Sequence, residues 1–223
     1  MRSIKIIGAG SIGNHIAHAA RRRGWSVLLT DRDPDALSRA KADIYPSRYG
    51  AWDEAIVTAL SDDVKNEYAD VIFIGTPPDT HIKLAMDAIA CRPKILLVEK
   101  PVCGPDLSGV EELVKELDTH HIRGAVGYNH CLGSNTVAAE KLIHSGLLGK
   151  SLTLSSCTRE HWRGIFAAHP WIDGPSASYL GFASRGGGAT GEHSHAINIW
   201  QHFAHILGAG RVVQVSAKLD WVR

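Results

Sequence analysis

Long apolar runs are missing from this 223-residue chain: no stretch approaches the roughly 18 to 20 residues that a helix needs to span a bilayer. An excess of charge of one sign is missing too. With 24 Lys+Arg against 23 Asp+Glu, no basic field exists to hold nucleic acid or an anionic membrane by electrostatics alone. Cysteine is scarce, and Cys91, Cys103, Cys131 and Cys157 lie far apart with no C-x-x-C pair, which excludes a zinc ribbon or disulfide framework and suits a reducing compartment. Repeats and low-complexity tracts are absent. The N-terminus enters a strand-like run at once, without the basic start and long apolar stretch of a signal peptide. The expectation is a soluble, cytoplasmic protein whose partners are small molecules, with neither nucleic acid nor membrane among them.

What is present is a core-forming composition, 44% hydrophobic, on a chain long enough for one full domain and part of another. Apolar runs at Ile4 to Ile7, Val27 to Leu29, Val71 to Ile74, Ile95 to Val98 and Ala125 to Val126 read as buried strands of a parallel sheet. Between them lie helical patterns with recognisable starts. Asp33-Pro34-Asp35 supplies an N-cap, a proline at the first helical position and an acidic first turn, and Pro105-Asp106 resembles it. The order βαβαβ is that of a doubly wound α/β fold. Around Asn129 to Gly133 the pattern changes, and helices are expected near residues 135–145 and 196–207. Alternation at Leu152, Leu154 and Ser156, and again over Val212 to Val222, reads as strand. Residues 164–191 are rich in Gly, Pro, Ser and aromatics and read as long loops of the kind that carry function.

The strongest local signal is Gly8-Ala9-Gly10-Ser11-Ile12-Gly13, which follows the first strand and opens a helix. Gly8 permits the tight turn, Gly10 lets the backbone approach a pyrophosphate, and Gly13 lets the helix pack closely on the sheet. The helix N-terminus is then aimed at the phosphates. Asp31 ends the second strand, 18 positions after Gly13, where a carboxylate accepts hydrogen bonds from the adenosine ribose and repels a 2′-phosphate. NAD is therefore favoured over NADP. The neighbouring Arg32 pulls the other way, since a guanidinium holds a phosphate or stacks on adenine, or simply stays solvated.

Two further segments sit at strand ends: Gly75-Thr76-Pro77-Pro78 with His81, and Glu99-Lys100-Pro101. Ligands of open α/β sheets bind at that edge, so Thr76, Pro77, His81, Glu99 and Lys100 are read as flanking a nicotinamide. With Gly127-Tyr128-Asn129 and with Gly186-Gly187-Gly188-Ala189 leading to His195, these motifs make the chain resemble the glucose-fructose oxidoreductase/inositol dehydrogenase (Gfo/Idh/MocA) family. The resemblance runs along essentially the whole chain. It implies a Rossmann dinucleotide-binding domain over residues 1–130. Residues 131–223 then form a partial α+β substrate-binding and oligomerisation domain with an open, mostly antiparallel sheet. It further implies a cis peptide before Pro101 and a homo-oligomer where the second sheet is completed.

Oxidising an alcohol by hydride transfer also removes the hydroxyl proton, and Lys100 at a desolvated strand end is placed to donate to, or relay a proton from, that oxygen. His195 is the second catalytic candidate, because imidazole exchanges protons near neutral pH. In the family the glycine run leads to an Asp four residues before this histidine, but position 191 here is Gly. Two substitutes are open: Glu192 takes over the carboxylate role, or His193 contacts the substrate. Asn129, Trp162 and Arg163 join His193 and His195 as candidate substrate contacts, with anchoring of the loop in the core as the competing reading for Trp162 and Arg163. Glu160, His161, Glu192, His193 and His195 contain no H-x-x-x-H or H-E-x-x-H pair, and no metal is expected.

The function expected on these grounds is an NAD(P)-dependent oxidoreductase, a sugar dehydrogenase in the broad sense, acting on a hydroxyl or carbonyl of a sugar, cyclitol or related derivative. Two alternatives stay open: a glycosidase that keeps its NAD bound and turns over without net redox change, and a non-catalytic dinucleotide-binding regulatory subunit. Family members run well past Arg223, so the chain is expected to be a fragment, a truncated frame or a piece completed by a partner.

Overall fold

The computed structural model describes residues 1–150, 153–159, 161–167, 169–188, 191 and 193–218. Two compact units emerge. One comprises the described residues of 1–127 together with 161–192, and the other those of 128–160 together with 193–223.

The first unit is built on six parallel strands: β1 (Ser3–Ile7), β2 (Ser26–Asp31), β3 (Ile56–Leu60), β4 (Val71–Ile74), β5 (Ile95–Val98) and β6 (Arg123–Val126). Their order is β3-β2-β1-β4-β5-β6, the doubly wound Rossmann arrangement, whose order reverses between β1 and β4. Alternation along each strand divides the core. Ile4, Ile6, Val27, Leu29, Val71 and Phe73 face α1 (Ser11–Arg21), α2 (Pro34–Arg39) and α3 (Tyr45–Tyr49), the last two joined by a π-helical turn at Ala40–Ile44. Ile72, Ile74, Leu96 and Val98 face α4 (His81–Ile89) and α5 (Val110–Thr119). Both faces of the inner strands are covered, as the near-continuous apolar runs require, whereas the edge strand β6, expected to be buried at Ala125 to Val126, is exposed along its length.

Local signals act largely as written in the sequence. The Asp33 carboxylate accepts from the Asp35 backbone N–H at 2.9 Å, and Pro34 opens α2. The second expected start moves: α5 begins at Val110, not beside Pro105-Asp106, because Leu107 (φ 56°) and Gly109 (φ 77°) take left-handed backbone that a helix cannot continue. Strand β3 was not expected. Its sequence, Ile-Val-Thr-Ala-Leu, is an apolar, β-branched run that was passed over, although of its five residues only Ile56 is buried.

Lys5 lies inside an apolar run yet is only 3% exposed. Its ammonium donates to the carbonyls of Val64 at 2.5 Å and Lys65 at 3.0 Å, in the turn-rich crossover from β3 to β4. It thereby satisfies backbone acceptors that a crossover helix would have bonded internally. Burial pushes its pKa down.

In the second unit a short 3-10 turn (Asn129–Leu132) leads into α6 (Ser134–His144), which packs on α8 (Ser194–Ile206). Between them in sequence, within the first unit, lies α7 (Trp162–Ala167). The His202 ring meets the Glu140 carboxylate at 2.5 Å, and the Trp200 indole donates to the Leu154 carbonyl at 3.0 Å. The alternating segments expected as strands are irregular wherever they are described, over 153–159 and 211–218. Strands persist through ladder hydrogen bonds to neighbours, and neither segment has a strand beside it among the described residues. Leu152 and the stretch 219–223 lie outside those residues. Among the described residues no helix is long and apolar enough to cross a membrane.

Phe73 is 1% exposed at the centre of the α1-facing core. Phe73→Ala should lower unfolding stability by about 3–5 kcal/mol, read as a shift of the urea midpoint at unchanged slope.

Candidate functional site

The C-terminal edge of the sheet is levelled by one repeated bond. Gly8 donates to Thr30, Gly75 to Ile7, Glu99 to Ile74 and Gly127 to Val98, each backbone N–H meeting the neighbouring strand's carbonyl at 2.8 Å. The four loops that leave the sheet after β1, β4, β5 and β6 therefore start side by side.

Each glycine of the first loop has its own steric reason. Gly8 has φ 111°, and a Cβ there would lie 2.7 Å from the Gly75 carbonyl oxygen. A Cβ on Gly13 would fall on the Gly8 carbonyl, so α1 rests directly on the turn. Gly10 differs: a Cβ there would meet nothing within 4 Å. The two outer glycines are needed by the fold, and the middle one leaves backbone bare toward open space. Ser11 and Ile12 follow at the start of α1, whose first turn contains no acidic residue. Asp31 closes the other side, accepting from the Ala9 N–H at 2.8 Å through one oxygen and from the Asp33 N–H at 3.0 Å through the other. Each oxygen keeps a further lone pair. Arg32 is exposed beside it.

Two residues passed over in the sequence hold this turn. Asn14, fully buried, donates through its amide to the carbonyls of Ala9 at 2.9 Å and Gly10 at 2.8 Å. Arg48, on α3, reaches the Ser11 carbonyl at 2.9 Å and the Ser11 hydroxyl at 2.8 Å. A polar residue inside the buried face of α1 was the signal available for Asn14. For Arg48 the sequence has none, because the contact joins residues 37 apart.

At the next loop the Thr76 hydroxyl meets Thr80 at 2.7 Å, and Pro77 is exposed. His81, expected to face the cofactor, is turned into the protein. It is fully buried, with Nε2 2.7 Å from the Thr76 carbonyl and Nδ1 2.9 Å from the Pro101 carbonyl. Burial pushes its pKa below the ordinary 6.5, against the two carbonyls and Asp79, which favour protonation. Lys100 is 8% exposed and precedes a cis peptide to Pro101, the isomer that the resemblance implies. The Glu99 carboxylate lies over Gly127, where a Cβ would collide with it.

Residues 161–192 of the same unit pack on these loops. Arg185 pairs with Asp79 at 2.7 Å, and a Cβ on Gly186 would lie 2.7 Å from Pro78. Side chains at Gly187 and Gly191 would fall on the carbonyls of Tyr179 and Gly186. The glycine run is thus a close-packed turn. Trp162 is half-buried beside Phe166 on α7, and Arg163 is exposed.

In the second unit, His195 stacks on His130 (ring centroids 4.1 Å apart) and meets Tyr128 edge-on at 5.7 Å. His130 was not anticipated. His193 occupies the N-cap position of α8 without a side-chain capping bond, and Asn129 is exposed on the 3-10 turn. Glu192 and Glu160 lie outside the described residues.

Residues 2–128, more than half of the chain, match the oxidoreductase family with an NAD-binding Rossmann fold. The chain belongs to the Gfo/Idh/MocA oxidoreductase family. No curated protein sequence matches it significantly. Solved structures share its fold. A putative myo-inositol dehydrogenase from Sinorhizobium meliloti is 22% identical, with a TM-score of 0.64 over 95% of this chain and 56% of its own. GenD2 from gentamicin A biosynthesis, solved with NAD, is 19% identical, with a TM-score of 0.62 over 93% of this chain and 54% of its own. A scyllo-inositol dehydrogenase from Lactobacillus casei, solved with NAD(H) and scyllo-inositol, is 21% identical, with a TM-score of 0.54 over 67% of this chain and 43% of its own. This member of the Gfo/Idh/MocA family spans about half the length of those chains.

The native pKa of His81 is depressed, so the folded state takes up this proton less readily than the unfolded chain. Stability linked to His81 is complete above about 6.5 and is lost as pH falls from there toward the native value. Melting temperature should therefore fall between about pH 7 and about pH 5.5 more steeply in the wild type than in His81→Phe, as followed by circular dichroism.

Proposed function

We propose that the chain carries the cofactor half of an NAD-dependent oxidoreductase that acts on a hydroxyl or carbonyl of a sugar, cyclitol or related small molecule. Residues 1–130 bind the dinucleotide, and residues 131–223 contribute to a substrate domain. The observation that carries this reading is the division of labour in the glycine turn. Gly8 and Gly13 have no room for a side chain, Gly10 opens onto empty space, and the Asp31 carboxylate is fixed against the same turn. Such a cradle suits a pyrophosphate lying on bare backbone N–H groups, with a ribose diol donating to Asp31. NAD is preferred over NADP because a fixed carboxylate repels a 2′-phosphate.

When bound, the nicotinamide supplies the hydride chemistry. The chain's own residues handle orientation and protons: the loops at Thr76 and Glu99-Lys100 flank the ring, Lys100 holds the reacting oxygen, and His195 is the second proton carrier. A catalytic role for Glu192 stays part of this proposal, as do substrate contacts from Asn129, Trp162, Arg163 and His193. The structures solved with NAD and with scyllo-inositol support the same class of ligands.

One observation favours a second reading, a dinucleotide-binding subunit without catalysis. The backbone at Gly191, where the family has Asp, leaves a side chain no space beside the Gly186 carbonyl.

Titration with NADH and NADPH, followed by energy transfer from tryptophan to the nicotinamide, tests the cofactor reading. NADH should bind more tightly than NADPH. Asp31→Ala should weaken NADH by about tenfold or more, the loss expected for charged hydrogen bonds, and narrow the gap to NADPH. A folded chain that binds neither nucleotide overturns the proposal.

A further inference from the structure

Along the C-terminal edge the strand order places Asp31 on β2, the glycine turn on β1, Thr76 after β4 and Lys100 after β5. On the cofactor reading above, on which this inference rests, a dinucleotide with its adenosine at Asp31 and its pyrophosphate at Gly10 has its ring end toward the last two loops. Their spacing then sets the slot that the ring enters. The last strand-type bond between the two, from the Glu99 N–H to the Ile74 carbonyl at 2.8 Å, stops short of Thr76 and Pro101.

One side chain bridges them. His81 is fully buried at the first residue of α4, and its two ring nitrogens lie 2.7 Å from the Thr76 carbonyl and 2.9 Å from the Pro101 carbonyl. Both partners are backbone acceptors, one on each loop, and the second belongs to the residue that follows Lys100. The loop after β4 is also held from outside, by the Arg185–Asp79 pair and by Gly186 against Pro78. The Pro101 carbonyl is therefore referred through one imidazole to a loop that is anchored twice.

We infer that His81 is a positioning residue that ties the loop after β4 to the loop bearing Lys100 and so sets the width of the nicotinamide slot. It acts through the backbone of both loops and does not touch the cofactor. Its effect falls on the ring half of the dinucleotide and spares the adenosine and pyrophosphate, which rest on the glycine turn and Asp31.

The test compares NADH with ADP-ribose, which lacks the nicotinamide ring, by titration calorimetry on the wild type and three variants. His81→Asn keeps a donor near the Nδ1 position, His81→Gln keeps one near Nε2, and His81→Phe fills the space with neither. His81→Phe should weaken NADH by about fivefold or more, with ADP-ribose within about twofold of wild type throughout. A neutral ring donates to one of the two carbonyls, so the amide variant that keeps the donor at that nitrogen should recover most of the loss and the other variant little. A merely structural histidine would move both ligands together. Equal losses for the two ligands overturn the inference, and so does a wild-type NADH to ADP-ribose ratio in both amide variants or in His81→Phe. If His81→Phe fails to fold, the Asn and Gln pair decides the matter. Wild type that binds NADH and ADP-ribose while the ratio stays fixed in every variant sinks only the role of His81. Wild type that binds neither ligand sinks the cofactor reading itself.

Discussion

Contact between backbones, with no side chain between them, is the constraint on which the site depends. Gly8 lies against Gly75, and Gly13 lies against Gly8, so the turn after β1 is pressed between α1 and the loop after β4. A single methyl group at either outer glycine would separate these elements. The strand-end hydrogen bonds at Gly8, Gly75, Glu99 and Gly127 then carry the same alignment across the edge to β6. What a ligand meets is a row of loops whose relative heights are set by backbone geometry, with Asp31, Asn14 and Arg48 fastening the first of them. The open space above Gly10 is the consequence: the glycines on either side are used by the fold, and the one between them is left for something else.

How much of this was legible in the sequence follows from how local each signal is. The five strands with continuous apolar runs, the Asp33 cap and the glycine turn are written in short windows, and each forms where the pattern places it. Strand β3 was legible and passed over: Ile-Val-Thr-Ala-Leu is an apolar, β-branched run in a short window, even though only Ile56 ends up buried at the sheet edge. Lys5 misleads in the opposite sense. A lysine inside a strand argues for exposure, yet its amine is drawn inward by two carbonyls some sixty residues away. Arg48 and the stacking of His195 on His130 depend on tertiary proximity alone. The strands expected in the second half fail for a related reason, since alternation describes which way side chains point, whereas a strand also needs a neighbour to bond.

His81 illustrates how a motif residue can be placed correctly and given the wrong task. Its spacing from Thr76 puts it near the ligand edge, and a histidine there invites a direct contact. The structure instead turns the ring inward to two carbonyls, where desolvation and hydrogen bonding pull its protonation in opposite directions. A ring in that position faces the backbone of two loops with both nitrogens, and what it contacts is protein.

The glycine run before His195 carries the same lesson to the family's missing carboxylate. Position 191 is not simply an Asp replaced by a smaller residue, because the backbone there passes so close to Gly186 that a Cβ has no space. Gly186 in turn is seated on Pro78, beside the Asp79 that holds Arg185. The turn that brings the chain back onto the loop after β4 is thus the same turn that removes the room for a side chain at 191. Packing against the loop after β4 and the lack of room for a side chain at 191 have one cause. An Asp at this position would therefore disturb the seat of the whole segment.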